Sequence, residues 1–378
     1  MTQKGVWGLQ DVRDEYLEGN WTFRSSDGPF SLYTTGHNVN GNLGLGDAIN
    51  RSSPTQVAGT WSALSSGVYG NVLATKFGGT LWMWGVNTAG QLGQNSIVQY
   101  SSPVQVGLDS TWSGAMTGEY NGAALAIKTD GTLWGWGDNG FGQLGQNGTI
   151  HRSSPVQIPG TGWSLVDAGQ GSILAKKTDG TLWGWGKNAQ GELGLGDIIK
   201  YSSPMQVGLD STWNKIDCSW NSRATKTDGT LWSWGYNGFG GLGQNDMVFK
   251  SSPVQIPGTN WNIISGQPFG GMAIKTDGSL WAWGWNPYGN LGDGTTIKYS
   301  SPVQVPGTQW TNIDNSVGNT AGVKSDGSLW MWGYNGYGPL GLNDEITRSA
   351  PIQVGSDTTW FGAGGYGQGL NFAFLQNQ

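Results

Sequence analysis

Chemistry needs side chains that titrate, attack or ligate, and this 378-residue chain offers few of them in useful pairs. It holds two histidines, His37 and His151, and one cysteine, Cys218. No His-x-x-x-His or Cys-x-x-Cys spacing occurs, so no metal site is indicated. A single thiol cannot form an intramolecular disulfide, and Cys218 reads as a buried, inert one. His37 follows a strand-like stretch and shows no positioned partner for general-base work. Asp27, Asp130, Asp179, Asp228, Asp277 and Asp326 belong to Asp-Gly turns, where a carboxylate serves local turn hydrogen bonds. The other acids scatter, so an acid pair such as Glu119 and Asp217 would have to be assembled across a channel by the fold. Gly-x-Gly stretches abound but open no helix, which removes a phosphate-loop reading. The expectation is a protein that is not an enzyme and carries no cofactor and no metal.

Composition points to packing and display. Glycine contributes 67 residues and tryptophan 23, while charged residues are only 12%. With 19 basic and 25 acidic residues the net charge is −6, which argues against nucleic acid, since phosphate contacts need Lys and Arg. No apolar run is long enough to insert in a membrane. The start, MTQKGVWGLQ, lacks the apolar core of a secretory signal, so synthesis in a cytoplasm is expected.

The elements that must position any site come from a repeat. Ser-Ser-Pro (Ser-Ala-Pro in the last copy) recurs with prolines at Pro54, Pro103, Pro155, Pro204, Pro253, Pro302 and Pro351, 49 or 52 residues apart. Leu-Trp-x-Trp-Gly begins at Leu81, Leu133, Leu182, Leu231, Leu280 and Leu329, and Leu32-Tyr33-Thr34-Thr35-Gly36 is a degenerate copy. Each continues as Gly-x-Asn-x-x-Gly-x-Leu-Gly, and a lone Trp follows each proline: Trp61, Trp112, Trp163, Trp213, Trp261, Trp310 and Trp360. Strand-like stretches flank Asp-Gly and Pro-Gly-Thr turns, giving four short strands per repeat. Repeats of this length and strand count read as propeller blades. Twelve tryptophans lie in the paired motif and seven at the lone position, so they read chiefly as packing. Residues two apart share a strand face, so both paired tryptophans should face one neighbour and the small residue between them the other.

The fold expected is all-β: a seven-bladed β-propeller over 21–378, preceded by an N-terminal segment at 1–20. The first Leu-Tyr motif lacks its own preceding hairpin, and the last proline motif lacks a following Leu-Trp strand. Joined, the chain ends make one split blade, and closure removes exposed sheet edges. Either Trp21–Arg24 or Asn371–Phe374 could fill its remaining strand.

Binding is expected on loops that vary. From the first Trp of each pair to the Leu of Gly-x-Leu-Gly is always 10 residues, and from there to Pro always 11, so this long crossover reads as scaffold. From the lone Trp to the first paired Trp varies from 19 to 22 residues. The tips of that variable loop carry Tyr69, Tyr120, Trp220, Phe269 and Tyr366, with Gln170 and Val317 in the other two copies. If each blade is a simple meander these residues form an interrupted aromatic ring on one face, suited to protein contact or glycan stacking. The residues before Ser-Ser (Arg51, Tyr100, Arg152, Tyr201, Lys250, Tyr299, Arg348) suggest cation–π or stacking contacts between adjacent blades.

The Asp-Gly turn, the aromatic-x-Trp-Gly strand, Asn-x-x-Gly-x-Leu-Gly and the distal Pro resemble the regulator of chromosome condensation repeat. The resemblance runs from about Asp27 to the C-terminus. It implies a seven-bladed propeller and leaves function open, since members include a nucleotide exchange factor, an inhibitor of β-lactamases and an ultraviolet-B receptor. Residues 1–20 are acidic where chromatin-bound members carry a basic tail, and the Gly-Trp-Arg-His-Thr motif of the photoreceptor is absent. Gly5-Val6-Trp7-Gly8-Leu9 with Gly19-Asn20-Trp21 is similar to a lead-in of tailed-phage virion proteins, although Gly8 and Thr22 depart from that pattern. Leu9, Val12 and Tyr16 have the spacing of an amphipathic helix, so Val6, Trp7, Leu9, Val12, Tyr16 and Trp21 form a candidate assembly anchor. The main expectation is therefore a phage virion protein, a tail or neck appendage or capsid decoration. It would dock to other virion proteins through this segment and meet a host-surface glycan or protein with the loop face. The alternatives are a soluble protein-binding regulator or inhibitor and a glycan-binding lectin.

Overall fold

A computed structural model describes the backbone of residues 30–66, 70–117, 122–267, 269–315, 318–336, 338–366 and 370–376. Among them every regular element is a β-strand. Six blades are each one continuous stretch whose four antiparallel strands pair in chain order. Blade 1 spans residues 63–105, blade 2 residues 112–158, blade 3 residues 163–206, blade 4 residues 213–256, blade 5 residues 261–304 and blade 6 residues 310–353. The all-β propeller of four-stranded blades is as expected. Six blades are continuous, and the seventh sheet is a composite of the two chain ends in the place of the expected split blade, ordered Arg51–Trp61, Phe30–Gly36, Leu370–Gln376, Trp360–Tyr366.

That composite answers the question of the surplus strand. Leu370–Gln376 pairs with Phe30–Gly36 from Leu370 opposite Gly36 to Gln376 opposite Phe30. The rival Trp21–Arg24 lies outside the described residues. Tyr33 packs edge-on against Trp360 at 6.3 Å, as Trp82 packs against Trp61 at 6.3 Å, so the degenerate motif does the work of the others. The first strands of successive blades touch around the ring, and Trp360–Tyr366 closes it against Ala63–Ser66.

Each motif is explained by a contact between neighbours. The second tryptophan of each pair is buried and donates its indole N–H to the preceding repeat: Trp234 to Glu192 O at 2.9 Å, Trp185 to Gln143 O at 2.8 Å. A Cβ at Gly194 would stand 2.8 Å from Trp234 Nε1, and Gly194 has φ +72°, so the Leu-Gly glycine is required twice over. The first serine of Ser-Ser-Pro accepts from the crossover of the preceding blade, as in Gly196 N–H to Ser251 O at 2.8 Å. Both paired tryptophans pack on one lone Trp, 6.3 and 5.6 Å away for Trp61, while Met83 between them lies in the next apolar cluster with Trp112 and Trp136.

The turn aspartates act locally, with a relay attached. Asp130 Oδ1 accepts from Thr132 N–H at 2.9 Å and from its hydroxyl at 2.7 Å, and Thr132 Oγ1 accepts from Trp134 Nε1 at 3.0 Å. The motif Asn organises the long crossover from inside. Asn237 Nδ2 donates to Asp246 O at 3.1 Å, Asp246 Oδ1 at 2.8 Å and Val248 O at 3.1 Å, and its Oδ1 accepts from Leu242 N–H at 3.0 Å. Asn237→Ala strands several buried groups at once. The expected cost is about 2–3 kcal/mol, read as a lower urea midpoint and faster amide exchange at Leu242.

One expectation is corrected in part. Of the residues before Ser-Ser, Tyr100 and Tyr299 do pack against apolar clusters shared with the next blade, whereas the basic ones turn to a carboxylate of their own loop. Arg51, Lys250 and Arg348 pair with Asp47, Asp246 and Asp344 four residues back at 2.7, 3.0 and 2.7 Å, and the Tyr201 hydroxyl donates to Asp197 at 2.9 Å. The carboxylate lies on the same loop turn and outcompetes a distant ring. Cation–π contacts come instead from the lysine that ends each second strand. Lys177 Nζ lies 4.8 Å from the Trp163 ring and 4.3 Å from Trp183. In two blades an aspartate joins: Asp109 binds Lys128 and Asp210 binds Lys226, and these hydrogen bonds bring both carboxyls down to about 2.

Candidate functional site

In a meander, the loop after the first strand and the loop after the third leave the sheet at the same end. The short variable loops and the long crossovers therefore share one face. On it, Trp220 of blade 4 and Phe269 of blade 5 meet with ring centroids 5.3 Å apart. Tyr69 and Tyr120 lie outside the described residues, and for Tyr366 the backbone strand alone is described. Gln170 accepts from Lys187 Nζ at 2.8 Å, and that ammonium lies 5.1 Å from the Trp220 ring.

Six aromatic residues not singled out from the sequence join this pair. Tyr236 and Phe239 follow the third strand of blade 4, and Phe249 precedes its outer strand. Trp285 and Tyr288 come from blade 5 and Tyr334 from blade 6. Tyr236 lies 5.0 Å from Phe249 and 5.7 Å from Trp220, and Phe239 lies 5.2 Å from Phe269. Phe269 lies 5.5 Å from Trp285, Trp285 6.0 Å from Tyr288, and Tyr288 5.1 Å from Tyr334. Among the described residues the result is an arc of touching rings over blades 4–6. Phe249 is 45% and Tyr288 38% exposed, and the other six are half-buried. The two flanking tyrosines lie flat over glycine: a Cβ at Gly238 or Gly336 would stand 2.2 Å from the Tyr236 or Tyr334 hydroxyl.

The crossover that supplies these rings is constant in length, and constancy of length hid the variation in its residue types. At the x of Gly-x-Asn, blades 1–3 carry Val86, Asp138 and Lys187, whereas blades 4–6 carry Tyr236, Trp285 and Tyr334. That shift was the available signal.

Below the arc, polar side chains near the ends of the first strands tie blade to blade. Asp167 Oδ2 accepts from Cys218 N–H at 2.7 Å, and Asp217 Oδ2 accepts from Gly266 N–H at 2.6 Å. Ser265 Oγ donates to Asn315 Oδ1 at 3.0 Å and Asp314 Oδ1 at 3.3 Å. Burial raises the Asp167 carboxyl well above the usual range, with the Asp217 charge adding to it. Burial also raises Asp217, against the pull of Arg223. Asp217 pairs with Arg223 and accepts from a backbone amide, and Glu119, the other member of the acid pair considered from the sequence, lies outside the described residues. Cys218 is buried, and burial pushes its thiol far up, as expected for an inert one.

The family model described as "Regulator of chromosome condensation (RCC1) repeat" matches residues 78–125, 130–175, 179–222, 228–265, 277–317 and 326–367. The ultraviolet-B receptor UVR8 of Arabidopsis thaliana is 32% identical over 131 residues, 34% of this chain and 30% of that protein. The probable E3 ubiquitin-protein ligase HERC6 of Homo sapiens is 27% identical over 165 residues, 42% of this chain and 16% of that protein. The chain thus spans less than a third of either relative. Among solved structures, human WBSCR16 superposes with a TM-score of 0.81 at 20% identity, covering 92% of this chain and 99% of that one. Prp20p of Saccharomyces cerevisiae, described with its binding to Gsp1p and histones, gives 0.83 at 17% identity, covering 100% and 97%. At these identities the structures share the fold.

Proposed function

Because the chain belongs to the regulator of chromosome condensation repeat family, we propose that it is a non-enzymatic, protein-binding propeller that engages its partner through the aromatic arc of blades 4–6. The observation that carries this is that, among the described residues, eight rings from blades 4–6 touch one another on one face of an otherwise regular repeat. Tyrosine, tryptophan and phenylalanine supply large, stiff contact area at modest entropy loss, and contiguous exposed apolar surface marks interaction sites. Of the readings drawn from the sequence, the family match supports the regulator alternative. The virion reading rests on Val6, Trp7, Leu9, Val12, Tyr16 and Trp21, all outside the described residues.

The test is site-specific photocrosslinking in the cells of origin. A benzophenone side chain at position 288 is expected to give discrete adducts. The same group at position 77, exposed on the opposite face, should give none. Phe249→Ser with Tyr288→Ser should weaken recovery of the adduct partner by about thirty-fold or more, as loss of a hot spot does. Equal labelling at 77 and 288, or none at 288, would sink the assignment of this face. An adduct that sediments with virus particles would restore the virion reading.

A further inference from the structure

Directly below the arc, blade 4 carries a buried cation where the other continuous blades carry an apolar residue. Where blades 1, 2, 3, 5 and 6 place Leu73, Leu125, Leu174, Met272 and Ala321, blade 4 places Arg223, which is fully buried. Its Nη1 donates to Asp217 Oδ1 at 2.9 Å. Its Nη2 donates to Asn221 Oδ1 at 2.7 Å, to the Gly270 carbonyl, and to Gly241 O at 3.5 Å. Asn221 adjoins Trp220, and Gly270 adjoins Phe269. The guanidinium thus reaches from the second strand of blade 4 to both loops that carry the central pair of rings, and to the crossover of its own blade.

Room for it is made by the neighbouring blade. A Cβ at Gly266 would stand 2.1 Å from Arg223 Nη1 and one at Gly271 would stand 2.5 Å from its Nε. Neither contact is tolerable, so blade 5 carries glycine at both places. Replacing a buried ion pair by apolar residues is often neutral or stabilising, and the other blades manage with apolar residues here. Stability alone therefore does not call for Arg223. Its planar fork can hold several acceptors at fixed angles, which neither leucine nor lysine can do.

We propose that Arg223 is the positioning residue of the arc: it locks the Trp220 loop of blade 4 to the Phe269 loop of blade 5 and so sets the geometry of the binding face. This rests on the reading of the arc as the binding site, and its test is independent of any partner. The full chain is labelled with 4-fluorophenylalanine, and the resonances of Phe239, Phe269 and the remote Phe77 are assigned by single replacement. Asp217→Ser with Arg223→Leu installs the pairing that blade 1 carries as Ser65 and Leu73. The variant is expected to shift or broaden the Phe239 and Phe269 signals, leave Phe77 unmoved, and unfold within a few degrees of the unchanged protein.

Arg223→Lys keeps a cation for Asp217 but cannot span Asn221 and Gly270 together, and it should perturb the same two signals. That variant serves if the double one fails to fold. Unmoved Phe239 and Phe269 signals in a folded variant would overturn the proposal and leave Arg223 a packing residue. Moved signals with no photoadducts at position 288 would instead leave the latch standing and remove the binding reading above it.

Discussion

Trp234→Ala is expected to lower the stability of the propeller by about 3–5 kcal/mol, the range for emptying a fully buried tryptophan site. The ring sits at the seam between blades 3 and 4, among Leu174, Leu182, Val207 and Trp213. Its centroid is 6.1 Å from that of Trp213, and its N–H is held by Glu192 O at 2.9 Å. Alanine would leave a cavity between two sheets and leave the Glu192 carbonyl with one donor, the Ser222 hydroxyl at 2.7 Å. The adjacent Trp232 offers the control. It is half-buried and gives its N–H to Thr230 Oγ1 at 2.9 Å within the same blade. Trp232→Ala should cost distinctly less. Urea unfolding of both variants, followed by circular dichroism, separates them. Equal midpoints would show that the seam does not depend on the second tryptophan of the pair.

Lys215→Met is expected to stabilise the protein at neutral pH and to remove part of its pH dependence. Lys215 is 2% exposed on the first strand of blade 4, where blades 3 and 5 carry Leu165 and Ile263. Its Nζ donates to Asn262 Oδ1 at 3.4 Å, and burial brings its ammonium down to about 8 from 10.5. The folded state disfavours the charged form, so the penalty is fully present below pH 8. It is relieved as pH rises toward 10.5, where the folded protein has released a proton that the unfolded chain still holds. The shift corresponds to about 3 kcal/mol. Above pH 9 the Cys218 thiol acts oppositely, because the unfolded chain loses its proton while the buried thiol keeps it. That effect is common to both proteins, so the difference between their unfolding free energies isolates Lys215. The advantage of the methionine variant should shrink by about that amount between pH 7 and pH 10.5. A difference independent of pH would mean that Lys215 keeps its ordinary affinity for protons in the folded state.

Much of the fold was legible because each motif repeats with the residues of its contact. The Leu-Gly glycine exists for the indole of the next blade, and Ser-Ser-Pro for the crossover of the preceding blade, so a periodic sequence exposes periodic contacts. The site was half legible. Trp220 and Phe269 stand out at loop tips of varying length, whereas Tyr236, Phe239, Trp285, Tyr288 and Tyr334 sit in crossovers whose fixed length reads as scaffold. Of the residues before Ser-Ser, Tyr100 and Tyr299 pack at the seams, whereas Arg51, Lys250 and Arg348 turn to aspartates four residues back, because those carboxylates lie on the same loop turn.

By itself, the sequence determined the all-β blade, its four strands, the closure of the chain ends and the turn chemistry, since all of these depend on local spacing and alternation. The tertiary structure alone decided that Leu370–Gln376 fills the composite sheet, that eight rings from three blades become one surface, and that Arg223 lies beneath them. Those outcomes depend on residues about a hundred positions apart meeting across blade seams, and on residues about 340 apart pairing in the composite sheet, and the spacing within one repeat carries no information about where a side chain will find its partner.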